Sequence, residues 1–289
     1  MKRAFTLIEL LVVVVIIGVL ASMLLPVLSK AKGLAREINC VSNQKQLILG
    51  WQMHNDDNDD IMVPGRHSKY AGGSYNSLNW YDVGNGKKYR PRWVATMGAY
   101  VGVYAFRRPV IENDRQDYDN KVYLCPSVYD WADERNSAYG YNHQFLGNAR
   151  MVGGRFINFP VKQSSLYASS GTVVAADCMG TAAAFPKEGR GRYQNNGKGL
   201  NAVGNHGWTL DPPRLTAVSD IGTGDPGSPR TAVDPRHNRK VAAVFADGHV
   251  ASRFPEQLGY IRTSNGLFIN GSNQYFSGRG VDLDPPNKY

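Results

Sequence analysis

The chain has 289 residues, 42% of them hydrophobic, which allows a sizeable core and excludes an intrinsically disordered protein. Its 31 glycines, 15 prolines and 16 tyrosines predict a head rich in turns and strands rather than a helical bundle. Three cysteines exclude a dense disulfide framework. The net charge of +9 suits ordinary solubility, or attraction to DNA, anionic lipid or acidic polysaccharide.

The first predicted element is an apolar segment that follows Lys2 and Arg3. It reads FTLIELLVVVVIIGVLASMLLP, and Glu9 is its single charged residue. Residues 5–28 exceed the roughly 20 residues that span a bilayer core. A secretory signal peptide cleaved after Ala21 and a plain membrane anchor both explain the apolar run. Neither explains Glu9, because a carboxylate near the bilayer core costs at least a few kcal/mol.

A small residue, Ala4, followed by Phe5 and then Glu9 resembles the start of type IV pilins and type II secretion pseudopilins. The resemblance implies that residues 1–4 are a prepilin leader. A prepilin peptidase would cut before Phe5 and methylate its new amine, giving N-methylphenylalanine. Ala4 stands where the family usually has glycine, and it is also small. Cleavage would leave 31 basic against 24 acidic residues, a net charge of +7.

The resemblance also assigns Glu9 to assembly. The new amine of one subunit and the Glu9 carboxylate of its neighbour can pair inside the membrane, which compensates the burial of both charges and sets the register between subunits. Gly18 and Pro26 are the weak points of the helix. In related filaments the helix unwinds between such residues, and a simple kink at Pro26 is the alternative.

Apolar residues continue at helical spacing as far as Trp51, so we predict one N-terminal helix over residues 5–57, membrane-spanning at about 5–28. Residues 58–289 then form the head.

The polar run at the predicted helix end is interpreted as a solvated turn. Asp56, Asn58 and Asp60 have the spacing of an EF-hand start, but Ile61 and His67 break the pattern. A calcium loop is the alternative.

The head is predicted to contain apolar strands at 121–127 and at 171–180, the second ending at Asp177. Residues 241–246 form a third strand, Asp247-Gly248 a hairpin turn, and residues 249–253 the return strand. Residues 62–120 and 186–236 are rich in loop-forming residues. The fold class is therefore α+β, a long N-terminal helix packed on a β-rich head.

Nine residues separate His237 from Asp247-Gly248. This arrangement resembles the C-terminal motif of a large family of bacterial pilin-like proteins, named for a histidine followed nine residues later by Asp-Gly. We interpret His237, Asp247, Gly248 and His249 as structural. A bound cation is the alternative, with Asp177 as a further ligand if the strands share a sheet. The chain has no hydrolase, zinc-protease or phosphate-loop motif, so we do not expect an enzyme.

The cysteines leave two options open. Cys40 lies on the predicted helix and Cys125 early in the head, so a disulfide would staple the two parts together and contribute about 2–4 kcal/mol. Buried free thiols are the other option. Cys178, at the end of an apolar strand, is expected to be buried.

Together these features predict a structural subunit, a pilin or pseudopilin, with no required cofactor and calcium or another cation as the alternative. Its partners would be copies of itself, prepilin peptidase and a pilus or secretion assembly machinery. It would reside in the inner membrane as a single-pass protein and then in a periplasmic or cell-surface filament. A membrane-anchored protein whose head holds polysaccharide, DNA or a metal is the alternative function.

Overall fold

The N-terminal half of the longest helix stands clear of the head. The computed structural model describes residues 6–110, 116–128, 133–152, 155–192, 199–216, 219 and 228–286. Helix α1, Leu7–Asp57, has 51 residues and is about 77 Å long. Residues 7–36 are exposed, and burial begins at Cys40. The second part of α1 therefore forms an arm on which the head packs.

One face of this arm is buried in the head. Residues 40, 44, 47, 51 and 55 recur every three or four positions, as one face of an α-helix requires, and two neighbours widen this face. The full set is Cys40, Gln44, Leu47, Ile48, Gly50, Trp51 and Asn55. Gly50 allows a close approach, since a Cβ there would lie 2.6 Å from a side-chain carbon of Val101. At its end, Asn58 caps the helix, and its backbone N–H donates to Asn55 O.

The central sheet has four antiparallel strands in the order β3, β6, β7, β8. They are β3 (Tyr139–Tyr141), β6 (Val173–Asp177), β7 (Val241–Phe245) and β8 (Val250–Arg253). Strands β3, β6 and β7 are buried along their whole length, and the helix arm packs against β7 and β8. The indole N–H of Trp51 donates to the Tyr141 hydroxyl at 3.3 Å, linking arm and sheet within this core.

The other elements are short. Strands β1 (Trp80–Asp82) and β2 (Lys87–Tyr89) form one hairpin, β4 (Asn148–Val152) and β5 (Arg155–Phe159) a second, and β9 (Ile261–Arg262) and β10 (Phe268–Ile269) a third. The short α-helices are α2 (Trp93–Thr96), α3 (Gly98–Val101) and α4 (His143–Leu146). Single 3₁₀ turns span Gly73–Tyr75, Ser77–Asn79, Lys121–Tyr123, Gln163–Ser165, Ser169–Gly171, Gly180–Ala184, Lys187–Gly189 and Pro255–Leu258.

The predicted α+β fold class is confirmed. The strand predicted to end at Asp177 is β6, and the hairpin predicted after Val241 is β7 and β8. The strand predicted at 121–127 is wrong, because Lys121–Tyr123 form a 3₁₀ turn. The Asn120 side chain caps this turn by accepting from Val122 N at 3.0 Å, which favours a turn over an extended chain.

Candidate functional site

The start of helix α1 carries a capping box built from Thr6 and Glu9. The Thr6 hydroxyl accepts from Glu9 N at 3.3 Å, and Glu9 Oε2 accepts from Thr6 N at 2.8 Å and from the Thr6 hydroxyl at 2.7 Å. Glu9 therefore also has a role within its own chain, which the sequence reasoning missed. The pattern Thr-x-x-Glu before an apolar run was the signal. Ala4 and Phe5, the predicted processing residues, lie outside the described residues.

Helix α1 is continuous through Gly18 and Pro26. Around them the apolar side chains are about half exposed or more, from Leu7 at 83% to Val13 at 47%. Among the described residues, α1 is the one helix long and apolar enough to cross a membrane, and its apolar window is entirely unburied. Unwinding between Gly18 and Pro26 in an assembled filament stays a prediction.

In the head, four chemically reactive side chains meet where the arm crosses the sheet. Cys40 comes from α1, and Cys125 follows the 3₁₀ turn Lys121–Tyr123. Asp177 ends β6, and His237 lies in the turn before β7. Each residue offers one ligand atom, which gives two sulfurs, one carboxylate oxygen and one imidazole nitrogen. These four atoms all lie within 4.8 Å of one another. No other such group of three or more His, Cys, Asp or Glu occurs in the part of the chain that the structure describes.

The individual distances in this four-residue cluster are short. Cys40 Sγ lies 3.3 Å from Asp177 Oδ1, and Cys125 Sγ lies 3.5 Å from His237 Nε2. His237 Nε2 lies 3.4 Å from Asp177 Oδ2. The side chains of Asp177 and His237 are 0% and 1% exposed, so water does not reach this pair.

Burial dominates the electrostatics of the cluster. It raises the pKa of Asp177 to about 7, against the opposing effects of Arg236 and His237. Burial likewise raises the pKa of the Cys40 thiol. A hydrogen bond from Cys40, helped by His237 and Arg236, lowers the pKa of Cys125 although burial opposes it. Burial therefore favours the neutral forms of Cys40 and Asp177, and Cys125 is the member of the cluster whose ionised form is favoured.

Of the two options left open for Cys40 and Cys125, the structure shows two buried free thiols, which lie close to each other. The predicted meeting of Asp177 with His237 also occurs. The sequence reasoning considered the two cysteines apart from a cation site of Asp177, His237, Asp247 and His249. It missed that both cysteines join Asp177 and His237 in one cluster. A single sequence offered no signal for that convergence, since Cys125 and His237 are 112 positions apart.

The remaining motif residues lie at the opposite end of β7 and form a second pair. Asp247 Oδ1 lies 2.6 Å from His249 Nδ1, and the His249 ring stacks on Phe245 with ring centroids 4.2 Å apart. The His249 N–H and ring hold the pKa of Asp247 below its usual value, despite partial burial. The structure therefore does not bring His237, Asp247 and His249 to one cation.

At the end of α1, the residues considered for calcium make local hydrogen bonds. The Asn58 side chain donates to His54 O at 2.7 Å, and Asp60 Oδ2 accepts from Ser164 N at 2.9 Å. These contacts end the helix and hold the following turn against residues 163–165.

Comparison with known proteins identifies the N-terminal segment. Residues 1–25 match the family described as prokaryotic N-terminal methylation motif. No curated protein and no solved structure matches the chain. The chain carries a prepilin-type N-terminal motif and a long apolar N-terminal helix, a combination consistent with a type IV pilin-like protein. This motif is a structural, pilin-type one and not that of an enzyme family. It implies processing by prepilin peptidase and entry into a pilus-type machinery.

Proposed function

We propose that the protein is a pilin or pseudopilin, a structural subunit of a helical filament assembled through α1. The observation that carries the proposal is the solvent-exposed, apolar N-terminal half of this helix. Residues 7–28 are about 33 Å long, close to the thickness of a bilayer core. No part of the described head covers them. Such a surface is stable in a membrane before assembly and against the same helix of other subunits afterwards.

Glu9 supports assembly over simple anchoring. Its hydrogen bonds to Thr6 both use Oε2, and among the described residues none donates to Oε1. The carboxylate can therefore cap its own helix and accept a neighbour's amine at the same time. Repeated from each subunit to the next, such a head-to-tail contact builds an open helical assembly when the rotation between subunits does not close into a ring. The inner membrane would be its first location and a periplasmic or surface filament its last.

Mass spectrometry of the mature protein tests the processing step. Isolated from its native membrane, the chain should begin at Phe5 and carry one methyl group on the α-amine. A chain beginning at Ser22 would mean cleavage as a secretory signal and would defeat the proposal. An uncleaved Met1 in cells with an active prepilin peptidase would also count against it. The same preparation, viewed by electron microscopy, should contain filaments that incorporate the chain.

The second function considered from the sequence was a membrane-anchored head that holds a ligand. Of polysaccharide, DNA and metal, the metal is the one favoured by a specific observation, the four-residue cluster. A bound metal is compatible with a filament subunit, because the cluster is buried between arm and head and leaves the apolar half of α1 free.

A further inference from the structure

We propose that Cys40, Cys125, Asp177 and His237 bind one Zn²⁺ ion that clamps the head onto the helix arm. The inference goes beyond the proposed function and does not depend on it, since a filament subunit and a lone anchored protein would use such a clamp in the same way.

The chemical types of the four donor atoms favour zinc over calcium and magnesium. Two thiolates with an imidazole favour zinc, whereas calcium and magnesium take oxygen ligands almost exclusively. The cluster offers two sulfurs, one nitrogen and one carboxylate oxygen. It is therefore a zinc-type set, unlike the calcium site considered at the end of α1.

Several donor-to-donor distances are close to those of a tetrahedron around zinc. Zinc bonds of about 2.3 Å to sulfur and about 2.0 Å to nitrogen or oxygen predict edges of about 3.5 Å from sulfur to nitrogen or oxygen, and about 3.3 Å from nitrogen to oxygen. The observed distances are 3.5 Å from Cys125 Sγ to His237 Nε2, 3.3 Å from Cys40 Sγ to Asp177 Oδ1, and 3.4 Å from His237 Nε2 to Asp177 Oδ2, the other oxygen of that carboxylate. With one oxygen from Asp177, all four donor atoms lie within 4.8 Å of one another, so the side chains would draw closer together around a bound ion.

Burial makes this a structural site. Cys40, Cys125 and Asp177 are 0% exposed and His237 is 3% exposed. A catalytic zinc keeps one position open for water, while a structural zinc takes four protein ligands. Four donors in a closed space fit the second type.

Surrounding groups hold the ligands in place. The buried Gln44 amide donates to Cys40 Sγ at 3.5 Å and to Asp177 Oδ1 at 3.3 Å. Ala242 N donates to Asp177 Oδ2 at 2.9 Å. Hydrogen bonds of this kind orient the metal ligands and tune how strongly they bind the metal. The neighbouring cation Arg236 is paired with Asp234 at 2.9 Å, which reduces its repulsion of a dication.

The four ligands come from distant parts of the chain, so the ion would join the arm, the 121–125 turn and the sheet. Since an unfolded chain does not hold a preformed site, metal binding would contribute directly to folding. The clamp would fix the head to α1 at Cys40, where burial of the helix begins.

The test uses the full-length chain purified in detergent without reducing agent or chelator. Zinc is measured by inductively coupled plasma mass spectrometry, and the state of the thiols by mass spectrometry after alkylation. We expect about one zinc per chain and unmodified, reduced Cys40 and Cys125. Cys125→Ser and Asp177→Asn should lower the zinc content at least tenfold. Cys178→Ser is the matched control, because its thiol is also buried but bonds Thr209 O at 3.1 Å outside the cluster; it should keep its zinc.

A second measurement, made on the wild-type chain, tests the proposal even if the variants fail to fold. The wild-type chain, stripped by chelator and reloaded with Co²⁺, should show thiolate-to-cobalt charge transfer and the visible bands of tetrahedral cobalt. Its melting temperature should fall on chelation and recover with zinc. Absence of both zinc and the cobalt bands would overturn the proposal. So would a disulfide joining Cys40 to Cys125, since it would consume two ligands.

Discussion

The Lys45 ammonium group, on the helix arm, donates a 3.0 Å hydrogen bond to the carbonyl oxygen of Gly248 in the Asp-Gly turn. At the other end of β7, His237 lies in the cluster that contains Cys40. The nine residues between His237 and Asp247 thus span one strand and its flanking turns. The motif fastens the sheet to the arm at two places: near Cys40 at one end of β7, and at the other end where Gly248 lies beside Lys45 and Gln52.

Gly248 is predicted to be essential to the second of these points. Its φ is +90°, and a Cβ would lie 2.8 Å from Gln52 Nε2. We expect Gly248→Ala to destabilise the head by about 1–2 kcal/mol, chiefly through the left-handed backbone. Urea unfolding followed by tryptophan fluorescence measures the change. Gly171→Ala is the control, because a Cβ there meets nothing within 4 Å; its change should stay within about 0.5 kcal/mol. Equal effects at the two sites would contradict the explanation.

Glu9→Gln separates capping from subunit pairing. Glutamine can replace glutamate in a capping box, but it removes the negative charge. We expect membrane insertion and helix content to be unchanged, and filament yield to fall at least about tenfold, equivalent to about 1.4 kcal/mol. Quantitative electron microscopy and fractionation of surface material measure the yield.

Thr6→Val is the matched control for this experiment. It removes the hydroxyl that accepts from Glu9 N while keeping the carboxylate. Its filament yield should stay near that of the wild type. If Thr6→Val lost filaments and Glu9→Gln did not, the importance of Glu9 would lie in the cap and the pairing argument would fail.

His206 is predicted to make the head sensitive to acid. Arg135 Nη2 lies 3.0 Å from His206 Nε2, and since arginine can only donate, this nitrogen must be unprotonated. Burial, followed by the charges of Arg135, Arg230, Arg92 and Arg66, lowers the pKa of His206 to about 3. In the unfolded chain His206 binds a proton as the pH falls through about 6.5, whereas in the folded chain it stays neutral until a much lower pH. Stability is therefore complete above about pH 6.5 and falls as the pH drops towards 3.

The variant His206→Asn tests this pH dependence. Asparagine tolerates the φ of +57° at this position and can still accept from Arg135. Between pH 6.5 and pH 5 the wild type should lose about 2 kcal/mol more than the variant, at about 1.4 kcal/mol per pH unit. Urea unfolding at both pH values measures the difference. Parallel losses in the two proteins would show that His206 is not the responsible group.

The prepilin motif, the long apolar helix and the β7–β8 hairpin were all predictable from the sequence. Each depends on residues within one local stretch: a charge pattern in an apolar run, helical spacing, or Asp-Gly between two apolar segments. Local preferences and tertiary packing agree there. The Thr6–Glu9 capping box was equally local and could have been found by the same reasoning.

Tertiary structure alone decided the rest. Residues 121–123 have a strand-like composition, yet Asn43 of the arm donates to the carbonyl oxygens of Lys121 and Leu124, both at 2.9 Å, and holds them as a turn. Likewise, the sequence contains the two cysteines, the aspartate and the histidine of the cluster, but it does not predict that they come into contact. Their convergence depends on which strand lies beside which and on where the arm crosses the sheet. These long-range contacts have no counterpart in local spacing, because they arise only when the whole core packs.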